Sequence, residues 1–268
     1  MNIDQRILQE MILKHEKSLS AFDLMINLIE ETLDTKEVNN EGLPLVAAGF
    51  LTKFHKTALS MKTLCLLGFE EDARVLLRVL LENLLTLSYI TRKPGERLKQ
   101  YANYHIIERM KSIKALKTHY PNVYNEMDEN QIHNIENEYS RVKDDYHKKD
   151  KWSGKSLREM AEEIGGTAPY WYDTVYSLEC MYVHSSVITF EKIFIDSPDN
   201  TVMKIGPYPF TATDIFSKAT EFAKEILSEF MNICEFEDAN QVTETWNQCK
   251  SLLQTEFNEL RKEDFKNT

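Results

Sequence analysis

Three charged residues lie at intervals of four within the apolar segment RVLLRVLLENLLTLSYI (residues 74–90): Arg74, Arg78 and Glu82. Residues four apart share one line along an α-helix, so this spacing predicts a charged line on an otherwise apolar helix. An arginine on such a line can bind phosphate or orient a neighbouring carboxylate. The line is either an exposed strip, where an Arg/Glu pair is worth about 0.3 to 0.5 kcal/mol, or an enclosed polar site.

A second polar stripe follows the same spacing at Tyr172, Tyr176, Cys180 and His184. Aromatic residues at helical spacing usually belong to the core, and a single histidine is usually structural. The other interpretation is that His184 acts as an acid or base in a pocket that also contains tyrosine hydroxyls. The main candidate site therefore comprises Arg78, Glu82, Tyr176 and His184.

A weaker alternative site consists of Arg141 and His147, which match the Arg-x(4–6)-His pattern of HEPN-type helical ribonucleases. In that chemistry the histidine is a general base, the arginine stabilises phosphate charge, and two copies pair. Chance supplies about one such match in a chain of this composition. The surrounding residues 141–158 carry seven basic and three acidic side chains, which also fits a local anion-binding face.

Neither a metal nor a cofactor is expected. The four cysteines are scattered and form no Cys-x-x-Cys pair. The segments HIIE and HNIE reverse the Glu-x-x-His order of di-iron bundles. The GKS segment at residues 154–156 has Lys149 where a phosphate-binding loop requires glycine.

The overall charge and composition indicate a cytoplasmic protein. A net charge of −11 argues against broad non-specific binding of nucleic acid, although nucleic acid stays possible as a ligand. The first residues, MNIDQRILQE, do not resemble an export signal, and the scattered cysteines suit a reducing compartment. The 74–90 segment is short and too charged for a membrane span, so no membrane association is expected.

The apolar periodicity predicts an all-α protein, a single helical domain over residues 1–268 with seven or eight helices. Glycine and proline are few, with 8 and 7 residues, which favours long helices. Helices are predicted near 2–35, 45–67, 70–92, 96–117, 123–148, 213–235 and 240–265, with a capping box at Ser156–Glu159. At most one small β-hairpin is expected, in which TVMKI pairs with TFEKIFI.

Residues 96–148 are predicted to form a long antiparallel helical hairpin that protrudes from the bundle. Apolar residues in its second helix recur at intervals of three and four, which describes one narrow seam. That seam comprises Ile132, Ile135, Tyr139, Val142 and Tyr146.

Three segments together resemble the bacterial domain-of-unknown-function 5677 family: LSMKTLCLLGFEEDARVLLRVLLENLLTLSYI, KWSGKSLREMAEEIGG and YDTVYSLECMYVHSSV. The similarity covers residues 59–190. It implies a helical structure and directs attention to Arg78 with Glu82, to Trp152, and to Tyr176 with His184. We expect these positions to converge in space.

Two functions follow as hypotheses, and the sequence leaves open whether the protein is an enzyme. The first is a toxin or phage-defence component that acts on RNA or nucleotides through the Arg78, Glu82, Tyr176 and His184 site. The second is a non-catalytic module that forms homo-oligomers or docks a protein partner through the long helical hairpin.

Overall fold

The computed structural model describes residues 4–146, 151–184, 187, 194–196, 201–203 and 206–264, most of which lie in helices. The predicted all-α class is confirmed. The chain divides into two compact units, a first unit of Met1–Ser88 with Gly166–Thr268 and a second unit of Tyr89–Gly165. The single domain over residues 1–268 stays a prediction. Across the described ranges, no helix has both the length and the apolar content of a membrane span.

The helices follow one another along the chain as α1 (Gln5–Lys14), α2 (Glu16–Thr35), α3 (Gly42–Leu66), α4 (Glu70–Arg92), α5 (Pro94–His119), α6 (Pro121–Asn125), α7 (Glu129–Val142), α8 (Leu157–Ile164), α9 (Ala168–Trp171), α10 (Ser177–Val183), α11 (Thr213–Ile233) and α12 (Asn240–Asp264). A 3₁₀ turn, Lys143–Asp145, follows α7, and a π-helical turn, Tyr172–Tyr176, joins α9 to α10. Strands β1 (Phe194–Asp196) and β2 (Thr201–Met203) pair antiparallel, with Ile195 opposite Val202.

The core of the first unit lies where α2 packs against α11 and α12, and α3 packs against α11. Phe22 of α2 and Phe216 of α11 are fully buried, and their ring centroids lie 5.6 Å apart. Burial of one such side chain contributes about 1.5 to 3 kcal/mol. α4 adds a buried leucine face to this unit, and its Asn83 side chain donates a 2.9 Å hydrogen bond to the Phe50 carbonyl of α3. The apolar face of α4 therefore fixes the position of its charged line.

The predicted number of seven or eight helices is too low for the described residues. Two of the predicted helices are divided, and the segment before His184 contains two further short helices, α9 and α10. The 2–35 helix breaks at His15, whose backbone leaves the helical region (φ −119°, ψ 26°) and whose buried ring bonds to the Phe210 carbonyl at 2.9 Å. The 123–148 helix breaks after Asn125, and the Asp128 carboxylate caps the start of α7 through the Asn130 amide. Side-chain caps and buried hydrogen bonds thus override a continuous apolar pattern.

The second unit contains the helical hairpin. Tyr146 donates a 2.7 Å hydrogen bond to the Gln100 carbonyl near the start of α5, whereas Ile135 packs on Met110 and Ile113 farther along α5, so α5 and α7 run antiparallel. The predicted capping box is confirmed at the start of α8. The apolar seam of α7 is used within the hairpin itself. Whether the hairpin protrudes stays a prediction.

Candidate functional site

Arg78 of α4 and Tyr176 of the π-helical turn are in direct contact. Arg78 Nη2 donates a 2.6 Å hydrogen bond to the Tyr176 hydroxyl, and the guanidinium carbon lies 4.5 Å from the centroid of the same ring. A guanidinium that both stacks on a ring and donates to its hydroxyl is held by two different interactions. The structure therefore brings together one residue from each of the two predicted stripes.

The π-helical turn aligns a second tyrosine with this pair. Tyr172 and Tyr176 stack with centroids 5.0 Å apart and an interplanar angle of 20°. A π-helix closes its hydrogen bonds between residues five apart, so it winds more slowly than an α-helix and brings side chains four apart closer to alignment. Arg78, Tyr176 and Tyr172 form one stacked set, which we call the Arg78 site.

The charge of Arg78 has no carboxylate partner in the part of the chain that the structure describes. Its side chain is half-buried, and its Nε atom is buried without a hydrogen-bond acceptor there. Burial by itself lowers the pKa of Arg78, but Tyr176 and the charge of Glu82 outweigh it and raise that pKa, so the guanidinium is ionised. Burial also raises the pKa of Tyr176, which keeps its hydroxyl neutral and able to donate a proton.

Arg74, one turn before Arg78, has the opposite environment. Its Nε donates to Glu70 at 2.9 Å, and its Nη1 donates to Glu179 at 3.1 Å and to Asp214 at 3.0 Å. Its guanidinium also lies 5.4 Å from the ring centroid of Tyr182. Burial lowers the pKa of Arg74, yet the three carboxylates raise it well above its usual value. Arg74 therefore joins α4 to α10 and α11.

The sequence interpretation missed the carboxylates of this network. Glu179 is only 5% exposed and lies in α10, which directly follows Tyr176 in the chain, and Asp214 is the second residue of α11. Because Glu179 bonds to Arg74, α10 is fixed on α4 at the level where Tyr176 meets Arg78. An isolated carboxylate within a largely apolar helix is the one sequence signal that points to Glu179.

The other residues of the predicted site form fewer contacts with Arg78 and Tyr176. Glu82 is exposed, and its charge acts on Arg78 without an ion pair in the described ranges. His184 follows the last residue of α10 and is exposed, and no described hydrogen bond joins its ring to Arg78 or Tyr176. Cys180 is half-buried. The structure thus joins Arg78 to Tyr176, and the roles of Glu82 and His184 stay predictions.

Trp152 lies in the second unit, in an aromatic cluster of its own. Its ring contacts Tyr89 and Tyr101 edge-on, with centroids 5.8 and 5.2 Å away. The buried Arg97 guanidinium lies 3.6 Å from the Tyr89 centroid and is paired with Glu163, which also binds Lys155. This cluster fixes Trp152 against α4 and α5. The convergence of Trp152 with the Arg78 site stays a prediction.

The weaker alternative site is not assembled by described residues. Arg141 is exposed near the end of α7, and His147 lies outside the described residues. The pairing of Arg141 with His147 stays a prediction.

A buried polar network in the first unit was not anticipated. Glu256 of α12 accepts hydrogen bonds from the Ser18 amide and hydroxyl, both at 2.7 Å, and from the Thr213 hydroxyl at 2.6 Å, and it lies 3.7 Å from His15. Burial raises the pKa of this carboxyl, but these donors outweigh burial and lower it to about 2. The network ties α12 to the α1–α2 junction and to α11. With His15 fully buried, its role is structural.

The described residues contain no group of three or more His, Cys, Asp or Glu side chains arranged to hold a metal ion. The chemistry of the Arg78 site is that of an arginine and a phenol, which suits the binding of an oxyanion.

Comparison with protein families gives a match over much of the chain. The sequence profile of the family of unknown function DUF5677 matches residues 45–201, more than half of the chain. These residues include Arg78, Glu82, Trp152, Tyr176 and His184. No curated protein and no solved structure matches the chain.

Proposed function

Because the chain belongs to the DUF5677 family of unknown function, we propose its function from the site itself: Arg78 and Tyr176 bind a phosphate group of a nucleotide or an RNA. The single observation that carries this proposal is the half-buried Arg78 guanidinium, which is held by a neutral hydroxyl instead of a carboxylate. A cation removed from water favours an anionic partner, and in the described ranges the protein supplies none by ion pairing.

The hydrogen bonding at Tyr176 supports an oxyanion as the ligand. Its hydroxyl accepts from Arg78, so the proton of that hydroxyl can be donated to a further acceptor. A phosphate oxygen can accept from both the guanidinium and the phenol, and hydrogen bonds to ionised groups are about twice as strong as neutral ones. Arg74 is already paired with Glu70, Glu179 and Asp214. Arg78 is therefore the arginine of this helix line that can bind the ligand.

The stacked tyrosines support a ligand with an aromatic ring. Tyr172 is half-buried, with one described ring partner, Tyr176. A nucleobase can stack on such a ring and gain about 1 to 3 kcal/mol. In this proposal His184 is the acid or base and Glu82 is the carboxylate that Arg78 orients, in a toxin or phage-defence protein that acts on RNA or nucleotides.

The test is a titration of fluorescent AMP against the wild-type protein and the Arg78→Gln variant. Loss of a charge-assisted hydrogen bond should weaken binding by roughly 10- to 100-fold. Arg261→Gln, an exposed arginine of α12, is the matched control and should bind as the wild type does. Equal affinities of the Arg78→Gln and wild-type proteins would exclude the proposal.

The catalytic part of the proposal has its own test. Glu82→Gln and His184→Gln should leave AMP affinity within about twofold and should abolish any loss of RNA integrity that the wild-type protein causes. If RNA stays intact with every variant and with the wild-type protein, the catalytic part of the proposal is wrong and only the binding of nucleotides is retained.

The alternative function, a non-catalytic module that docks a partner through the helical hairpin, gains no support from the seam of α7. Ile132 and Ile135 are buried, and Ile135 packs on Met110 and Ile113 of α5. Such a module would need another face of the hairpin.

A further inference from the structure

Three exposed lysines follow one another at intervals of three along α5, which we call the lysine row: Lys111, Lys114 and Lys117. Each ammonium lies over a tyrosine ring of the second unit. The distances from ammonium to ring centroid are 5.6 Å for Lys111 and Tyr104, 4.9 Å for Lys114 and Tyr139, and 5.2 Å for Lys117 and Tyr124. The negative face of each ring attracts the ammonium above it, so the tyrosines restrain the three lysines.

No carboxylate forms an ion pair with the lysine row in the described part of the second unit. The described acidic residues of the neighbouring helix lie beside Arg109 or along a groove, and they form no ion pair with the three lysines. Glu138 lies 3.9 Å from Arg109, and Glu129 and Glu136 line an open groove on α7 with His133. Glu108, an exposed residue of α5, is the acidic neighbour within the same helix. The lysine row therefore keeps three positive charges without direct neutralisation.

The spacing of the row suits a chain of phosphates. Residues three apart on a helix are separated by about 4.5 Å along its axis and turn by about 60° around it. One nucleic-acid strand of B-form DNA carries a phosphate about every 3.4 Å, and an extended strand spaces them farther apart. A flexible single strand can follow the turn of the row, whereas a stiff duplex cannot.

We propose that the lysine row binds the backbone of single-stranded nucleic acid. A positively charged face that also carries aromatic side chains is the usual construction of surfaces that bind single strands without sequence preference. This surface is separate from the Arg78 site in its residues and in its ligand, because it contacts successive phosphates and needs an oligonucleotide.

The test compares a triple variant, Lys111→Gln, Lys114→Gln and Lys117→Gln, with a control triple of exposed lysines, Lys53→Gln, Lys56→Gln and Lys262→Gln. Binding of fluorescent eight-residue oligouridine and oligothymidine is measured from 50 to 200 mM salt. Loss of three phosphate contacts should make the plot of log affinity against log salt less steep, by about 2 in the magnitude of its slope. The same loss should weaken binding at 50 mM salt at least tenfold. The control triple should keep the wild-type slope.

Two results would overturn the proposal: equal slopes for the two triple variants, or displacement of the oligonucleotide by polyglutamate at equal charge concentration, which would show that an acidic polypeptide is the better ligand. If the triple variant does not fold, Lys114→Gln alone should reduce the magnitude of the slope by about 0.7, and an unchanged slope contradicts the proposal.

Failure at the Arg78 site gives a different pattern. The lysine row variants should bind AMP as the wild type does, so a protein that binds the oligonucleotide through the row but is insensitive to Arg78→Gln supports this surface and rejects the proposed site.

Discussion

Arg78 and Tyr176 lie 98 positions apart in the sequence, and a 2.6 Å hydrogen bond joins them. The bond links the charged line of α4 to the π-helical turn Tyr172–Tyr176, and both elements lie within the residues that the family profile matches. This contact thus joins the stripe of Arg78 and the stripe of Tyr176, which are separate in the sequence, in a single site.

Tyr176→Phe should weaken AMP binding by about tenfold while it leaves the fold intact. The variant keeps the ring that stacks on Tyr172 and on Arg78, and it removes the hydroxyl that accepts from Arg78. One such hydrogen bond is worth about 1 kcal/mol or somewhat more. The control is Tyr170→Phe, a 56% exposed tyrosine of α9, which should not change AMP affinity. A similar loss in both variants would attribute the effect to the aromatic segment as a whole.

Arg74→Gln should lower the free energy of unfolding by about 3 to 5 kcal/mol, measured by urea denaturation. Glu70 and Glu179 are each 5% exposed, and the variant removes the Arg74 cation from both carboxylates. Arg74→Lys should cost less, because it retains the charge and loses the planar fork. Arg6, which pairs with Asp4 at the surface, is the control, and Arg6→Gln should unfold as the wild type does. Equal losses in the Gln and Lys variants would assign the effect to packing.

The stability of the first unit should fall in acid because of Glu256. Its folded-state pKa of about 2 is lower than its usual value of 4.5, so its contribution is complete above about pH 4.5 and is lost as the pH falls towards 2. The shift corresponds to at most roughly 3 kcal/mol. Urea midpoints measured from pH 3 to pH 7 should therefore decline less steeply for Glu256→Gln than for the wild type.

The control for this acid dependence is Glu244→Gln, an exposed residue of the same helix, which should keep the wild-type decline. Identical declines for Glu256→Gln and the wild type would show that other carboxyls dominate.

Gly68→Ala should destabilise the protein far more than Gly42→Ala does, as measured by thermal unfolding. Both glycines have positive φ, +83° and +68°, which costs an alanine about 1 to 2 kcal/mol. A Cβ at Gly68 would also lie 2.8 Å from the Tyr208 carbonyl oxygen and 2.9 Å from its nitrogen, whereas a Cβ at Gly42 meets nothing within 4 Å. The Gly68 variant should therefore lose at least about 3 kcal/mol. Equal losses would mean that the Gly68 turn moves away from Tyr208 at little cost.

The sequence predicted the helices well where an apolar stripe and a chain breaker agreed. α3, α4 and α11 begin and end within a few residues of their predicted bounds, and Gly68 and Pro94 mark the ends of α3 and α4. The division at His15 was not predicted, because it depends on the Phe210 carbonyl, 195 positions away. Long-range hydrogen bonds of this kind leave no local signal.

The site was predicted in part for the same reason. Spacing placed Arg74, Arg78 and Glu82 on one line, yet the three residues have different environments: Arg74 is bound by three carboxylates, Arg78 by a phenol, and Glu82 is exposed. Periodicity gives the direction of a side chain from its own helix. It does not give the residues of other helices, such as Glu179 and Asp214, that lie opposite.

The π-helical turn Tyr172–Tyr176 has a consequence for the tolerance of this segment to deletions. A π-helical turn contains one residue more than an α-helical turn of the same length. Deletion of Thr174 would therefore convert it into an ordinary α-helical turn and leave α9 and α10 at their present lengths. The helix would survive, and the residues on either side of the deletion would keep their phase, so Glu179 would still face Arg74. Tyr172 and Tyr176 would then be three residues apart in an α-helix, about 60° out of line, and would lose the alignment that stacks their rings. The extra residue therefore sets the aromatic stack of the Arg78 site independently of the register of the ion-pair network.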